Sequence, residues 1–345
     1  MSEGGLKISK KVTIKDVAQH SGFGIGTVSR AINQSEGISE KTRKKIQASI
    51  EQLGYTPNYV AQSMRSQKYK NIAFFADISN PVFAQIAKSV QIELDSYGFT
   101  LSLCSIGEKN VEEKISSFLS GRSFDGIILS IPTEKDWKLN KVLTKINIPV
   151  VPINRDVPTL PTGILTDYYS SVREAINYLI SLGHENIAMI TGNKEIRPTR
   201  EGIRAYKDCF VAQGKKFNEN LIRSGKLNSQ SGEELLLEIA PKIHKGEITA
   251  ILSLNNQMFY GILRAMRNEK LRYPDDLSVI TFEDNELTQL LDPPVTAIRR
   301  PIEDIGKQIA KMLLKYIQKP ASYGEEEPIV IPTKFLIRDS CKSII

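Results

Sequence analysis

Residues 12–33 constrain the fold most, because they contain two short amphipathic helical patterns on either side of a glycine turn, Ser21-Gly22-Phe23. In each pattern the apolar residues recur at helical spacing and therefore share one side. These inward positions are Ile14, Val17, Ala18, Val28, Ala31 and Ile32. Two short helices that meet at a tight turn and bury their apolar sides together are typical of a helix-turn-helix unit.

Helix-terminal signals agree with this unit. Thr13, followed three residues later by Asp16, resembles a capping box and predicts a helix that starts at Ile14. Ser39-Glu40 predicts the start of a third helix, since an N-cap hydroxyl and an acid in the first turn both suit the positive end of a helix. The third helix is expected to bury Ile46, Ile50 and Leu53 and to end before Gly54.

The net charge is concentrated in the same region. The chain has 46 Lys and Arg against 39 Asp and Glu, a formal net charge of +7, and residues 1–70 alone contain twelve basic and five acidic side chains. The remaining residues are therefore neutral overall. A basic module joined to a neutral body is the charge pattern expected of a module that docks on a polyanion. A solvated basic tail would have the same charge, so the assignment depends on the residue pattern.

The outward side of the second helix is the predicted reader of a DNA major groove. Arg30 is the best candidate for a specific contact, because a guanidinium can donate two parallel hydrogen bonds to guanine. Ile25 offers only apolar contact and Gly26 offers no side chain, so we expect a modest sequence readout. The predicted DNA-facing residues of the module are Thr13, Ile25, Gly26, Thr27, Ser29, Arg30, Asn33 and Tyr55.

From residue 71 onward, short apolar strand patterns alternate with helical patterns. Strands are expected at 72–76, 100–104, 126–131, 149–153, 187–190, 250–254 and 278–282, with helices near 82–97, 111–120, 171–182, 205–213, 232–243, 258–268 and 302–317. Such apolar strands indicate parallel sheets covered on both faces. There are too many strand–helix units for one sheet of moderate size, so we predict an α/β body of two lobes with a ligand in the crevice between them.

Several classes of protein are disfavoured by composition. No stretch approaches 18 apolar residues and the N-terminus is polar, so we expect a cytoplasmic protein without membrane association. The three cysteines and three histidines are widely scattered, which predicts neither a metal site nor a disulfide framework. We find no nucleophile with an oriented base, and therefore predict no catalytic residues and no cofactor.

The residue pattern resembles the lactose/galactose repressor (LacI/GalR) family over almost the whole chain. In the N-terminal region the similar segments are residues 12–33, 38–43, 53–58 and 60–65. In the body they are residues 77–81, 183–187, 274–279, 294–298 and 337–340. The resemblance implies a transcription regulator, most simply a repressor, that binds a palindromic operator as a homodimer and responds to a small-molecule effector.

The resemblance also implies a hinge helix after the module that inserts an apolar residue into the DNA minor groove. Here that residue is Met64, whose apolar side chain suits a wedge between base steps. Gln62 stands where the family usually has Arg, and Gly24 where it usually has Ser. The alternative for Met64 is packing on the following domain. The predicted hinge contacts to DNA are Asn58, Ala61, Gln62, Met64 and Arg65.

The domain organisation that follows has four parts: a disordered tail at 1–11, the helix-turn-helix domain at 12–57, a hinge helix and linker at 58–70, and an effector-binding and dimerisation domain at 71–345. The family's body resembles a periplasmic binding protein and crosses between its lobes three times. We place these crossings near Gly163, Asp292 and Pro320. The expected lobes are about 71–162 with 294–320, and about 163–292 with 321–340.

The effector site is where the sequence departs from the family. Asn154 and Asn256 are amides, and Glu283 a longer acid, at positions where the family commonly has Asp, so negative charge is reduced. With Arg155 nearby, an anionic effector such as a sugar acid or sugar phosphate is favoured over a neutral sugar. The expected effector residues are Phe83, Asn154, Arg155, Arg200, Asn256 and Glu283, with Arg197 or Arg204 as alternatives to Arg200.

Two alternatives remain open at this level. The body is a cytosolic sugar-binding protein or a sugar-modifying enzyme that carries a vestigial basic module, or the effector pocket has degenerated and Asn256 and Glu283 are ordinary turn and surface residues. The resemblance also leaves open a phosphocarrier protein as a co-regulator, because some relatives use one.

Overall fold

The computed structural model describes residues 12–32, 37–56, 69–107, 109–121, 123–161, 163–325 and 327–345. The chain divides into two compact units, Met1–Tyr69 and Lys70–Ile345. No helix within these described ranges is both long and apolar enough to span a membrane.

The N-terminal unit contains the helices α1 (Ile14–Ser21), α2 (Ile25–Ile32) and α3 (Glu40–Leu53). Asp16 Oδ2 accepts hydrogen bonds from both the backbone N–H and the hydroxyl of Thr13, each 2.7 Å long, at the start of α1. Ser39 Oγ accepts the Thr42 N–H at the start of α3. The helix starts predicted from these capping residues are confirmed.

A small apolar core joins the three helices. Val17, Val28 and Ile46 are fully buried at its centre, one from each helix. Ile14, Ile32, Ile50 and Leu53 are half-buried and pack around this centre. The predicted inward sides of the helices are therefore the packed sides.

The body begins with a four-stranded parallel sheet in the order β2-β1-β3-β4. Its strands are β1 (Asn71–Ala76), β2 (Thr100–Ser105), β3 (Gly126–Leu129) and β4 (Val150–Pro152). Its helices are α4 (Pro81–Asp95), α5 (Val111–Gly121), α6 (Trp137–Leu143) and α12 (Ile302–Gln318). Alternate residues of β1 pack on opposite layers: Phe74 lies in a core with α4 and α12, and Phe75 in a core with α5 and α6.

A six-stranded sheet in the order β12-β10-β9-β8-β6-β7 forms the second half of the body. Its strands are β6 (Ile187–Thr191), β7 (Ile222–Ser224), β8 (Ala250–Ser253), β9 (Ser278–Phe282), β10 (Thr296–Arg299) and β12 (Lys334–Leu336), of which only β12 is antiparallel to its neighbour. Its helices are α7 (Tyr168–Ser181), α8 (Arg197–Ala212), α9 (Ser229–His244), α10 (Asn256–Asn268) and the short α11 (Glu286–Leu290). The α7–α8 pair and the α9–α10 pair cover opposite faces.

Strand pairing corrects the three predicted crossings. The strands β5 (Ile164–Thr166) and β11 (Ile329–Ile331) pair with each other, and Ile164 and Ile331 lie in the core of the four-stranded sheet. The strand β10 pairs with β9 in the six-stranded sheet. The chain therefore crosses after β5, β10 and β11, later than the positions expected at Gly163, Asp292 and Pro320. We call the β1–β5 and β11 half the first lobe and the other half the second lobe.

Candidate DNA-binding face and ligand cavity

Helix α2 exposes the side that was predicted to face DNA. Ile25 is 41 % exposed, and Gly26 and Arg30 are also exposed, whereas Val28 and Ala31 are buried on the opposite side. Arg30 Nε lies 3.4 Å from the Gly26 carbonyl oxygen, so the guanidinium follows the exposed side of the helix. The hydroxyl residues Thr27 and Ser29 are half-buried, and Thr13 is exposed before α1.

Contacts that the sequence analysis missed hold α2 in place. Arg43 on α3 donates from Nη1 to the Ala31 carbonyl oxygen at 3.3 Å, near the C-terminal end of α2. A cation there satisfies a carbonyl that has no partner within the helix and complements the helix dipole. On the other side of the turn, Lys45 Nζ lies 5.5 Å from the centre of the Phe23 ring.

Tyr55 was predicted to face DNA, and the structure places it in the core instead. Gly54 ends α3 with a φ of 61°, and the Tyr55 N–H donates to the Ile50 carbonyl oxygen at 3.0 Å. This left-handed helix ending turns the following residue back onto the helix. The Tyr55 side chain is only 9 % exposed and packs among the three helices.

Six predicted DNA-binding residues lie outside the described residues. They are Asn33, Asn58, Ala61, Gln62, Met64 and Arg65.

The body contains a cavity of about 480 Å³ between its two lobes. Four of the six predicted effector residues line it: Phe83, Asn154, Arg155 and Asn256. They come from α4, from the loop after β4 and from the first turn of α10, which are brought together at the carboxyl ends of parallel strands.

Asn154 and Arg155 are held rigidly beside this cavity. Asn154 has a φ of 53°, and its Oδ1 accepts the Thr166 N–H at 2.6 Å. Arg155 is buried and donates from Nε and Nη1 to the carbonyl oxygens of Ile131 and Asn154. Within the described part of the chain Nη2 has no such partner, so it is left as a donor for a ligand. Burial lowers the pKa of Arg155, although the nearby Glu134 carboxylate opposes this effect.

Arg200 was predicted to contact the effector, and the structure contradicts this prediction. Its guanidinium donates to Glu134 Oε2 at 2.8 Å and to Asp156 Oδ2 at 2.7 Å, and Arg200 does not line the cavity. Neither alternative lines the cavity: Arg197 pairs with Asp156 at 2.9 Å, and Arg204 pairs with Glu201. The first two turns of α8 place Arg197 and Arg200 opposite Glu134 and Asp156 of the first lobe, two carboxylates that were not among the predicted site residues.

Glu283 was also predicted to contact the effector, and it lies behind the cavity wall instead. Its side chain is buried, and one carboxylate oxygen accepts a hydrogen bond from Nε of Arg300 and forms an ion-pair contact with Nη2. Arg300, at the second crossing between the lobes, is the residue that lines the cavity. Arg300 was not among the predicted site residues, because its contact with Glu283 depends on how β9 and β10 pair.

The charged residues that line the cavity are mostly basic. Arg155, Lys226 and Arg300 face a single acid, Asp77. Tyr168 and Phe282 form part of the apolar wall, with stacked rings whose centres are 4.5 Å apart. A cavity with aromatic walls and a few convergent polar groups is the usual form of a small-molecule site. No cluster of candidate metal ligands occurs in the described residues.

An amide pair joins the two lobes at the edge of this cavity. Asn80 Nδ2 donates to Asn256 Oδ1, and Asn256 Nδ2 donates to Asn80 Oδ1, each at 3.1 Å. Asn80 also caps α4 through the Val82 N–H, and Asn256 begins α10. The amide side chain at position 256 is therefore used by its neighbour across the cleft.

Comparison with known proteins decides the family. Residues 13–58 match the model of bacterial regulatory proteins of the lacI family, and residues 176–341 match a periplasmic binding protein-like domain. The HTH-type transcriptional regulator DegA of Bacillus subtilis (strain 168) is 31 % identical over 335 residues, which cover 96 % of this chain and 98 % of DegA. The chain belongs to the LacI family. As a LacI-family member it is a DNA-binding transcription regulator and not an enzyme, which excludes the alternative of a sugar-modifying enzyme.

Solved structures of LacI-family proteins show the same two-part architecture. The lac repressor dimer bound to operator and the anti-inducer ONPF matches with a TM-score of 0.81 at 25 % identity, covering 96 % of this chain and all of that chain. The complex of the transcriptional regulator CelR with cellobiose matches with a TM-score of 0.69 at 27 % identity, with the same coverage. The predicted fold class, a helix-turn-helix module with a periplasmic-binding-protein-like body of parallel sheets, is confirmed.

Proposed function

We propose that this LacI-family protein is a repressor that binds a palindromic operator as a homodimer. An anionic carbohydrate in the body cavity changes its affinity for that operator. The observation that carries the effector proposal is that three basic side chains and one acid line the cavity, with Glu283 paired to Arg300 behind the cavity wall. CelR was solved with a neutral sugar, cellobiose. A basic cavity favours a carboxylate or phosphate on the ligand, because charge-assisted hydrogen bonds to an anion are stronger than neutral ones.

The effector proposal is tested by a thermal-shift series on the purified full chain. Matched ligands are D-glucose, D-glucuronate and D-glucose 6-phosphate, followed by the corresponding galactose series. We expect an acid or phosphate to raise the melting temperature while its neutral parent does not, because a ligand that binds only the folded state stabilises it. Stabilisation by the neutral parent alone would contradict an anionic effector.

The DNA-binding proposal assigns direct readout to the exposed side of α2. Replacing Arg30 by Ala removes the one long cationic donor on that side, and we expect affinity to fall with a loss of preference at one base pair in each half-site. Lys15→Ala removes the same charge from α1 and should weaken binding without changing the preferred sequence. A selection from randomised operators compares the two variants. If Arg30→Ala keeps the preferred operator sequence of the wild type, the proposal that α2 reads the bases is contradicted.

The homodimer proposal is supported by an exposed apolar face at one edge of the first lobe. β2 is the edge strand of the four-stranded sheet, and Leu103 is exposed on it, together with Ile92 and Tyr97 of the adjoining α4 region. The double substitution Ile92→Glu with Leu103→Glu should produce monomers in sedimentation velocity, because two buried charges in each copy oppose association. Trp137→Glu, at another exposed apolar position, is the control.

The hinge proposal assigns the minor-groove wedge to Met64. An apolar side chain that enters between base steps unstacks them and bends the duplex. Met64→Ala should therefore reduce the bend at the operator centre in a circular-permutation gel. Equal bends for the two proteins would favour the alternative that Met64 packs on the protein.

A further inference from the structure

Two acids of the first lobe and two arginines of the second lobe form a compact network beside the cavity. Glu134 follows β3, Asp156 follows β4, and Arg197 and Arg200 lie in the first two turns of α8. Arg200 contacts both acids, at 2.8 and 2.7 Å, and Arg197 contacts Asp156 at 2.9 Å. The side chain of Glu134 is 2 % exposed, and the others are half-buried. We call these four residues the lobe latch.

The lobe latch also uses the backbone of α8. The Arg197 N–H donates to Glu134 Oε1 at 2.8 Å. Arg197 is the first residue of α8, where an N–H has no acceptor within the helix. A carboxylate from the other lobe therefore supplies the missing acceptor and meets the positive end of the helix dipole.

We propose that the lobe latch holds the two lobes closed without a ligand, so that closure is set by ionic strength as well as by effector. Its four carboxylate contacts all join one lobe to the other, while Arg200 also donates to the Glu195 carbonyl oxygen within the second lobe. None of its members lines the cavity. The arginine that the family resemblance assigned to a ligand is thus engaged by protein carboxylates. The Asn80–Asn256 amide pair adds a second set of contacts between the lobes.

The role of this closure in regulation rests on the proposed function, but the closure itself does not. A pocket that is already closed binds its effector without the cost of closing, since apparent affinity scales with the fraction of competent conformer. Half-exposed ion pairs are screened by salt, because the Debye length falls from about 10 Å at 0.1 M to about 3 Å at 1 M. Concentrated salt should therefore open the cleft.

The test is hydrogen–deuterium exchange of single amides in the full chain, with no effector and no DNA. The Arg197 N–H reports on the latch directly, because its partner is in the other lobe. We expect slow exchange in 0.1 M KCl, and exchange at least about tenfold faster in 1 M KCl, in Asp156→Asn and in Arg200→Gln, because each opens the lobes locally. The Arg200 N–H, which donates to Ile196 O within the second lobe, is the internal reference and should not change.

Lys194→Gln is the control variant, because it removes a surface ion pair with Glu219 that lies within the second lobe. It should leave exchange at Arg197 unchanged. Fast exchange at Arg197 in the ligand-free wild type, or unchanged exchange in both Asp156→Asn and Arg200→Gln, would overturn the latch. These outcomes do not depend on DNA or effector, so they are distinguishable from a failure of the proposed function, which the operator and thermal-shift experiments decide.

Discussion

Glu283 and Arg300 form a buried ion pair behind the cavity wall, in which one carboxylate oxygen accepts a hydrogen bond from Nε and also contacts Nη2 of the guanidinium. Burial is the largest single effect and opposes the charged form of Arg300, but the Glu283 charge, Tyr168 and the hydrogen bond to Glu283 together exceed it and raise the pKa of Arg300. Glu283 holds this position with a φ of 90° and donates its N–H to Ile298 O at 2.9 Å. Such a backbone conformation is uncommon for a residue other than glycine and tends to occur at functional sites.

Glu283→Gln should change stability and anion binding in opposite directions. The substitution leaves the buried Arg300 charge without its counter-ion, so we expect the free energy of unfolding to fall by about 3 kcal/mol. It also removes a negative charge behind the cavity, so the affinity for the anion that stabilises the wild type should rise. Urea unfolding and calorimetric titration measure the two effects.

Arg300→Met changes the other member of the Glu283–Arg300 pair and tests whether Arg300 recognises the charge of the ligand. It deletes the cation that lines the cavity, and loss of a charge-assisted hydrogen bond should weaken anion binding by roughly 10–100-fold. Binding of the neutral parent sugar should change less. Equal losses for acid and neutral sugar would mean that Arg300 shapes the cavity rather than recognising charge.

Asn256→Asp should shift the cavity away from anions. A carboxylate at this position can still accept from Asn80 Nδ2, but it cannot donate to Asn80 Oδ1, so one of the two hydrogen bonds becomes a repulsion between oxygens. We expect a loss of about 1–2 kcal/mol in unfolding free energy and weaker binding of the acid relative to its neutral parent. Asn186→Asp makes the same charge change on an exposed loop of the second lobe and should affect neither quantity.

The sequence was most informative where structure is local. Thr13, Ser39 and Gly54 mark helix ends through contacts a few residues away, and these boundaries could be predicted. Short apolar strands such as β1 and β8 also stood out, because both faces are buried. Among the three-residue strands, β4 lies in an apolar run and could be predicted, whereas β5, β7, β11 and β12 carry too few residues to show a period and are defined only by their pairing.

The candidate site was less predictable because its contacts join distant segments. Phe83 and Arg155 line the cavity as expected, but Arg200 was assigned to the ligand without knowledge of Glu134, a buried acid in the other lobe. Arg300 was missed for the same reason, since its role depends on a partner at the end of a neighbouring strand. Tyr55 was misplaced because a left-handed helix ending reverses the chain direction.

His184 should make the stability of the body sensitive to acid. Burial is the largest effect and lowers the pKa of His184. The positive charge of Lys342 lowers this pKa further, whereas a hydrogen bond with the Lys342 backbone raises it. Because the folded-state pKa lies below the ordinary value of about 6.5, the unfolded state binds more protons there, and stability is lost as the pH falls from about 6.5 toward the folded-state pKa.

The measurement is urea unfolding of the wild type and His184→Gln between pH 7.5 and 5. Gln cannot titrate and can still reach Thr249 Oγ1, which lies 2.8 Å from the His184 ring. We expect the variant to lose less stability over this range than the wild type. His244→Gln, at a half-exposed site paired with Glu269, is the control. Parallel pH profiles for wild type and His184→Gln would assign the acid sensitivity to other groups.

Gly26→Ala should separate folding from DNA recognition, because it should raise the stability of the module and lower its affinity for the operator. Gly26 lies in the first turn of α2, and a Cβ added there meets no atom within 4 Å. Alanine should therefore stabilise the module by up to about 1 kcal/mol through helix propensity. If the exposed side of α2 approaches base edges closely, the same methyl group meets DNA, and operator affinity should fall or its sequence preference should change. Gly121→Ala makes the same change at an open position at the end of α5 and should leave operator binding unaltered. Tighter operator binding by a stabilised Gly26→Ala variant would instead show that this side of α2 does not contact the bases closely.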